Sequence, residues 1–219
     1  MWGAAVLVWL LGVTGAVIFI VPPAEGLGLW VRLAFFHIPM AWVAVLGFFL
    51  AAWWAYRYLK TNSLLFYRRS SVAALLGLIF CLLATVSGAV FAKMTWGAYW
   101  NWDPRQTTIF ILLLIYGAYL SLGASIEDEE KRAKISSLYA LFSFVTVPFL
   151  VFIIPRFYES LHPEPILNGS LELHMDSLMF GVLMAAVLGC TALFAWLLRY
   201  MLKYQALRAQ KNAIEDAGI

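Results

Sequence analysis

The chain has 219 residues, of which 63% are hydrophobic and 12% are charged, with a formal net charge of +3. Soluble domains contain about 45–50% apolar and about 25% charged residues. The composition therefore excludes a soluble globular protein and indicates an integral membrane protein without room for a second sizeable soluble domain. The sequence contains no Walker A motif, so we do not expect it to hydrolyse ATP itself. No nucleic-acid partner is expected.

Six apolar runs are long enough to cross a bilayer, which takes about 20 residues. They cover residues 4–21, 33–56, 72–92, 107–125, 135–154 and 177–198. We therefore predict an all-α integral membrane protein, a six-transmembrane-helix bundle that forms a single domain over residues 1–219. The first run has no basic segment before it and a poor cleavage site after it, so we expect a retained span and not a signal peptide.

Basic residues are distributed unevenly between the two sides of the predicted bundle. Eleven of the fifteen Lys and Arg residues fall on one side, and the other four are Arg32, Lys93, Arg105 and Arg156. Cytoplasmic loops carry an excess of Lys and Arg, so we predict that both termini are cytoplasmic. Two loops, at about 93–107 and about 155–176, then face outward. We expect a multi-pass protein of a bacterial or archaeal inner membrane, with these loops in the periplasm. The basic tail after the sixth span predicts a solvated helix.

The first outward loop is dense in aromatic residues. Residues 96–107, called here the aromatic loop, contain three Trp, one Tyr, one acid and one Arg. A belt of rings at the lipid headgroups leaves Asp103 and Arg105 unexplained, so a platform for a flat hydrophobic ligand with charged groups is the favoured interpretation. Asp103 before Pro104 also predicts a helix start. Asp103 could instead orient an indole N–H or pair with Arg105.

All three histidines fall in the outward half of the protein. His37 lies about one turn inside the second span, and His162 and His174 lie in the second outward loop. An ionisable residue within a span indicates a functional site, although a hydrogen-bonded interfacial histidine is the simpler alternative. A haem iron takes two axial imidazoles on opposite faces, and His37 and His162 could supply them.

Two further features bear on this haem hypothesis. Arg105 or Arg156 could pair with the propionates, because a guanidinium matches a carboxylate in fork geometry. Cys81 and Cys190 lie mid-span outside any CxxC or CxxCH motif, so we predict buried apolar residues and no self-attached haem. Zinc is a weaker alternative, because it usually takes three or four close ligands. The candidates for such a site are His37, His162, His174 and Asp176.

Two motifs resemble a known family. The pattern Trp96-Gly97-x-x-Trp100-x-Trp102-Asp103-x-Arg105-x-Thr107 resembles the tryptophan-rich WWD signature of the cytochrome c assembly family of haem-handling membrane proteins, which includes CcmC, CcmF and CcsA. His37-Ile38-Pro39-Met40-Ala41-Trp42 is similar to the segment that precedes the signature in the CcmC type. His162 matches the second flanking histidine by position. Six spans in about 220 residues also resemble the CcmC type and not its longer relatives.

The resemblance implies a haem exporter that handles non-covalent haem b. It implies His37 and His162 as axial ligands, and delivery of haem at the outer face to the haem chaperone CcmE. The implied partners are the ABC-transporter subunits CcmA and CcmB, the small subunit CcmD and membrane lipid. The chain itself would not be an enzyme, since the covalent bond in this family forms on the chaperone's own histidine. The platform residues are Trp96, Gly97, Trp100, Trp102, Asp103 and Arg105, with supporting residues Pro39, Trp42, Tyr99, Asn101, Arg156 and His174.

Two alternatives belong to other classes of protein. A membrane b-type cytochrome that carries electrons usually has paired histidines in facing helices, whereas this chain has one histidine within a span. A purely structural membrane subunit would need only the aromatic belt. A redox titration with a quinol distinguishes the first alternative, and absence of haem absorbance after purification with haem supplied would favour the second.

Overall fold

The computed structural model describes residues 2–162 and 175–216. Its helices are α1 (Trp2–Phe19), α2 (Ala34–Thr61), α3 (Leu64–Trp96), α4 (Pro104–Ala124), α5 (Glu129–Pro148), α6 (Ile154–Phe157) and α7 (Ser177–Asp216). A short 3-10 helix, Leu29–Leu33, leads into α2, and a π-helical stretch, Phe149–Ile153, joins α5 to α6. Within the described residues, six helical segments are long and apolar enough to cross a membrane. The predicted all-α, six-helix membrane protein is therefore confirmed.

Several helices extend beyond the predicted spans. The break predicted between the second and third spans is present but shorter than expected, because only Asn62 and Ser63 separate α2 from α3. Asn62 is left-handed (φ 52°), and its N–H donates to the Tyr58 carbonyl at 2.7 Å, which ends α2. Basic residues are good helix formers, so the backbone stays helical after the apolar run has ended.

The segment before the fifth span and the tail after the sixth are also helical beyond their apolar runs. α5 begins at Glu129 and not near residue 135, because the Asp128 carboxylate accepts the Lys131 N–H at 2.7 Å and caps the helix. α7 continues to Asp216, which confirms the predicted helical tail. Only residues 97–103 of the first outward loop are non-helical, and α6 occupies the first turn of the second outward loop.

α2 and α3 form a closely packed pair at the centre of the fold. A side chain at Gly47 would approach the Cα atom of Gly77 to 2.8 Å, so the two backbones touch directly there. Around them, Phe48 stacks on Tyr116 of α4 at a centroid distance of 3.6 Å. α1 lies at the edge against α7, where the Trp9 indole donates to the Ala185 carbonyl at 2.9 Å. This arrangement leaves a cavity at one end of the central pair.

Candidate functional site

A cavity of about 710 Å³ lies between the first turns of α2, the last turns of α3 and the start of α4. The π-helical stretch, the loop before the 3-10 helix and the start of α7 complete its wall. Its volume falls within the ~300–1,000 Å³ typical of small-molecule sites. Most of the wall is apolar. Its ionisable or strongly polar residues are Glu25, His37, Arg105, Gln106, His162 and Asp176.

His37 is held rigidly against α3. Its Nδ1 lies 2.9 Å from the Ala84 carbonyl oxygen and 3.3 Å from the Ser87 hydroxyl oxygen. The ring also packs on Gly88, where a Cβ atom would lie 2.8 Å from the His37 Cε1 atom. A carbonyl can only accept, so Nδ1 carries the proton that it donates to Ala84. The neutral ring then has its lone pair on Nε2, the arrangement of a histidine prepared to bind a metal.

His162 is held in the same manner by a carboxylate. Its Nδ1 lies 3.0 Å from Asp103 Oδ1, and its ring meets Trp96 edge-to-face at a centroid distance of 4.9 Å. Burial lowers the pKa of His162 to about 4, although the Asp103 charge acts to raise it. The imidazole is therefore neutral at pH 7, with its Nδ1 proton directed to Asp103 and its lone pair on Nε2.

Asp103 connects the two outward loops. Its side chain accepts the Arg105 N–H at 2.8 Å, which confirms the predicted cap of α4 with Pro104 at the first position. It also accepts the Leu161 N–H at 2.8 Å and the Ser160 hydroxyl at 2.9 Å. Burial acts to raise the pKa of Asp103, but the hydrogen bonds from Leu161 and Arg105, with His162 and Ser160, bring this pKa below its usual value. Asp103 is thus a charged anchor for His162.

The residues of the predicted platform do not share one surface. Trp100 and Arg105 line the cavity, whereas Trp96 packs against His162. Gly97, with φ of 83°, ends α3 through its N–H to the Lys93 carbonyl at 3.2 Å. Trp102 is 76% exposed and has a left-handed φ of 55°, which is rare for a bulky residue. Its ring meets Trp100 edge-to-face at 5.8 Å.

The supporting residues also occupy different positions. Trp42 lines the cavity, and Pro39 is buried in α2. Tyr99 is exposed, with the Lys93 ammonium 5.7 Å from its ring centroid. Arg156 is exposed on α6. His174 lies outside the described residues.

Gln106 is a structural residue of the site that the sequence reasoning missed. It is buried, and its Oε1 accepts the N–H of Asn101 at 2.9 Å while its Nε2 donates to the Tyr99 carbonyl at 3.3 Å. The signal was present in the sequence, since Asp103 and Gln106 have the spacing of a helix capping box. Gln106 therefore sets the path of the aromatic loop. Ser87, Ala84 and Ser160, which orient the two histidines, were also missed.

In residues 2–162 and 175–216, no three His, Cys, Asp or Glu side chains come together as a candidate ligand set. The pair of imidazoles at the cavity instead suits a ligand that brings its own equatorial donors.

Fold and site together define a multi-pass membrane protein with two neutral imidazoles, one on a helix and one on a loop, in the wall of an apolar cavity. The family model described as "CcmC: Heme exporter protein C" matches residues 1–216. The chain therefore belongs to the heme exporter protein C family.

Curated relatives agree with this family. The chain is 26% identical to "Heme exporter protein C" of Rhodobacter capsulatus over 204 residues, 90% of this chain and 82% of the relative. It is 30% identical to a "Putative cytochrome c biosynthesis ccmC-like mitochondrial protein" of Marchantia polymorpha over 149 residues, 68% of this chain and 62% of that protein. A "Cytochrome c biogenesis protein CcsA" of Arabidopsis thaliana is 37% identical over 92 residues, 42% of this chain and 26% of its own length.

Proposed function

We propose that this chain is a haem-binding membrane subunit of cytochrome c maturation, a transporter or loading factor and not an enzyme. In this proposal it holds haem b non-covalently in the cavity, at the outer face of a bacterial inner membrane, and delivers it to the haem chaperone CcmE. Membership of the heme exporter protein C family supports a role in cytochrome c maturation and in an ABC-type haem export complex. CcmA, CcmB and CcmD are the proposed members of that complex.

The observation that carries the proposal is the matched pair of histidines. Both line one cavity, and both use Nδ1 for an anchoring contact, to a carbonyl for His37 and to a carboxylate for His162. Metal-binding histidines are typically oriented by such a partner on the second ring nitrogen. We propose that these two Nε2 atoms are the axial ligands of the haem iron.

Charge and composition of the wall fit the remaining parts of a haem. Of the four basic residues on the predicted outward side, Arg105 lines the cavity, whereas Arg32, Lys93 and Arg156 are not among its described wall residues. Arg105 is therefore the proposed partner of the propionates. The described wall residues include no cysteine, which supports non-covalent binding.

An optical spectrum tests the proposal directly. The chain is purified from cells supplied with haem, together with its native partners, and its absorbance is recorded in oxidised and reduced forms. We expect a low-spin spectrum of a bis-imidazole haem and transfer of that haem to added chaperone. A purified, folded chain without any haem absorbance would contradict the proposal.

The orientation of the chain is tested by labelling with an impermeant thiol reagent. In a background with Cys81→Ala and Cys190→Ala, we expect Asn101→Cys to be labelled in cells with a permeable outer membrane. The matched Glu127→Cys site lies at the opposite ends of the helices and should be labelled only after the inner membrane is broken. The reverse pattern would place the cavity in the cytoplasm and contradict delivery at the outer face.

The two tryptophans at the cavity edge are expected to give different phenotypes. Trp100 lines the cavity, and burial of a large apolar side chain contributes about 1.5–3 kcal/mol, so Trp100→Ala should lower haem retention by about tenfold or more. Trp102 is exposed outside the wall, so Trp102→Ala should retain haem but slow its transfer to the chaperone. Haem content and transfer rate are measured on the same samples. Equal loss of retention in both variants would contradict this separation of roles.

A further inference from the structure

A basic cluster lies at the ends of α2 and α3 opposite the cavity, and the proposed haem site does not use it. The Arg57 guanidinium carbon lies 4.6 Å from the ring centroid of Phe66, and that of Arg69 lies 5.9 Å from the same centroid. Both distances are measured to the same ring centroid, so the separation between the two guanidinium carbons is at most the sum of these distances. Two like charges within this separation repel each other, and an anion near both of them would offset this repulsion.

Two acids near the start of α5, Glu129 and Asp128, have other partners. Arg68, the residue before Arg69 in α3, lies 3.4 Å from Glu129 Oε1, and Asp128 caps α5. Within the described part of the chain, Arg57 and Arg69 contact the Phe66 ring and form no ion pair. Within the described residues, the charges of Arg57 and Arg69 are therefore not neutralised by a direct ion pair.

Phe66 is a fixed support for the two guanidinium groups. It packs against a small core cluster formed by Tyr58, Tyr67 and Ala133. A guanidinium held over a ring face by cation–π attraction still presents a planar fork of N–H donors. Both arginines can therefore donate to an anion while they remain in contact with the ring, and their fork geometry matches phosphate oxygens.

The chemistry of the surface changes along one face of α2. Trp53, Tyr56, Arg57 and Lys60 follow the i, i+3, i+4, i+7 spacing that places side chains on one helix face. Trp53 and Tyr56 are 48% and 44% exposed, and the Lys60 ammonium lies 5.8 Å from the Tyr56 ring centroid. The face thus passes from apolar to aromatic to basic towards the helix end. A phospholipid has the matching order of acyl chain, glycerol and phosphate.

We propose that Arg57 and Arg69, which contact the Phe66 ring, bind the phosphate of an anionic phospholipid headgroup together with Lys60, one turn after Arg57, with an acyl chain along Trp53. The apolar part of the same helix face favours a lipid over a free phosphate ion, because a phosphate ion has no apolar group to contact that surface. Basic pockets at the ends of membrane helices are suited to such headgroups. The site is independent of the haem cavity, which lies at the other end of the same two helices.

Native mass spectrometry of the full chain in detergent tests this site, with phosphatidylglycerol and phosphatidylcholine as probes. We expect preferential retention of phosphatidylglycerol. Arg57→Gln or Arg69→Gln should lower it by about fivefold, the factor that corresponds to about 1 kcal/mol per basic residue near an anionic surface. Arg68→Gln removes the same charge from a residue that already pairs with Glu129, and this matched control should change retention little.

Two further experiments distinguish specific lipid binding at this site from general electrostatic attraction. Phe66→Leu keeps every charge but removes the ring, and should lower retention by about two- to fivefold because cation–π contacts contribute about 0.5–1 kcal/mol. Inorganic phosphate at equal concentration should not displace the lipid. Equal loss in the Arg57 and Arg68 variants, equal retention of both lipids, or displacement by inorganic phosphate would each overturn the proposal. Circular dichroism confirms that each variant is folded.

Discussion

Replacement of either His37 or His162 with alanine is expected to abolish the low-spin haem spectrum of the purified chain. Each imidazole is the proposed source of one axial bond, and loss of a residue that merely orients a metal ligand already weakens metal binding about 10–100-fold. We expect losses at or above the upper end of that range. Haem content per protein and the position of the absorbance bands measure the effect.

Added imidazole should partly restore the spectrum, because it can occupy the space left by either side chain. His174→Ala is the matched control and should change little. The axial assignment would be contradicted if His174→Ala abolished the bis-imidazole spectrum while His162→Ala left it intact. In that case membership of the family would stand, and only the ligand from the second outward loop would be different.

Asp103→Ala is expected to reduce haem retention by about 10–100-fold, far more than loss of a helix cap explains. A cap contributes only ~1 kcal/mol, whereas this carboxylate also accepts hydrogen bonds from Ser160 and Leu161 and contacts His162. Without it, the loop ligand has no anchor and several buried donors have no acceptor. The measurement is haem retention after dilution, with helix content followed by circular dichroism.

Two neighbouring variants separate the roles of this carboxylate. Ser160→Ala removes one donor and leaves His162 anchored, so it should lower retention much less than Asp103→Ala does. Asp103→Asn keeps an oxygen that can cap α4 but removes the charge that faces His162, so it should resemble Asp103→Ala in retention while keeping its helix content. A normal haem level in Asp103→Asn would show that the negative charge is not needed to anchor His162.

The six-helix architecture could be predicted because each membrane span is visible in the sequence as a run of apolar residues. Each run of about 20 apolar residues must be helical to satisfy its backbone in lipid, and Asp103-Pro104 is a local signal for the start of a helix. Helix ends were harder to place. Arg57 follows an apolar run and Lys131 precedes one, but both belong to the helix, so hydropathy makes the predicted helix too short at that end.

The site was only partly predictable because its decisive contacts are non-local. His162 and Asp103 are 59 residues apart in sequence, and no periodic pattern relates a loop after α6 to the start of α4. The surroundings of the individual tryptophan side chains could not be predicted from the sequence either. Trp100 and Trp102 look equivalent in a motif, but the left-handed backbone at Trp102 directs the two rings to different environments.

The glycine contacts of α3 have a consequence for the order in which haem would be released. Gly47 and Gly77 bring α2 and α3 into backbone contact, and Gly88 receives the His37 ring, so His37 is held in a closely packed interface between two long helices. His162 belongs to a short irregular segment fixed by hydrogen bonds to a single carboxylate, and such segments open locally at much lower free energy. The two imidazoles therefore differ in how easily they are displaced. We expect a receiving partner to displace His162 of the loop first, while His37 of the helix remains in place.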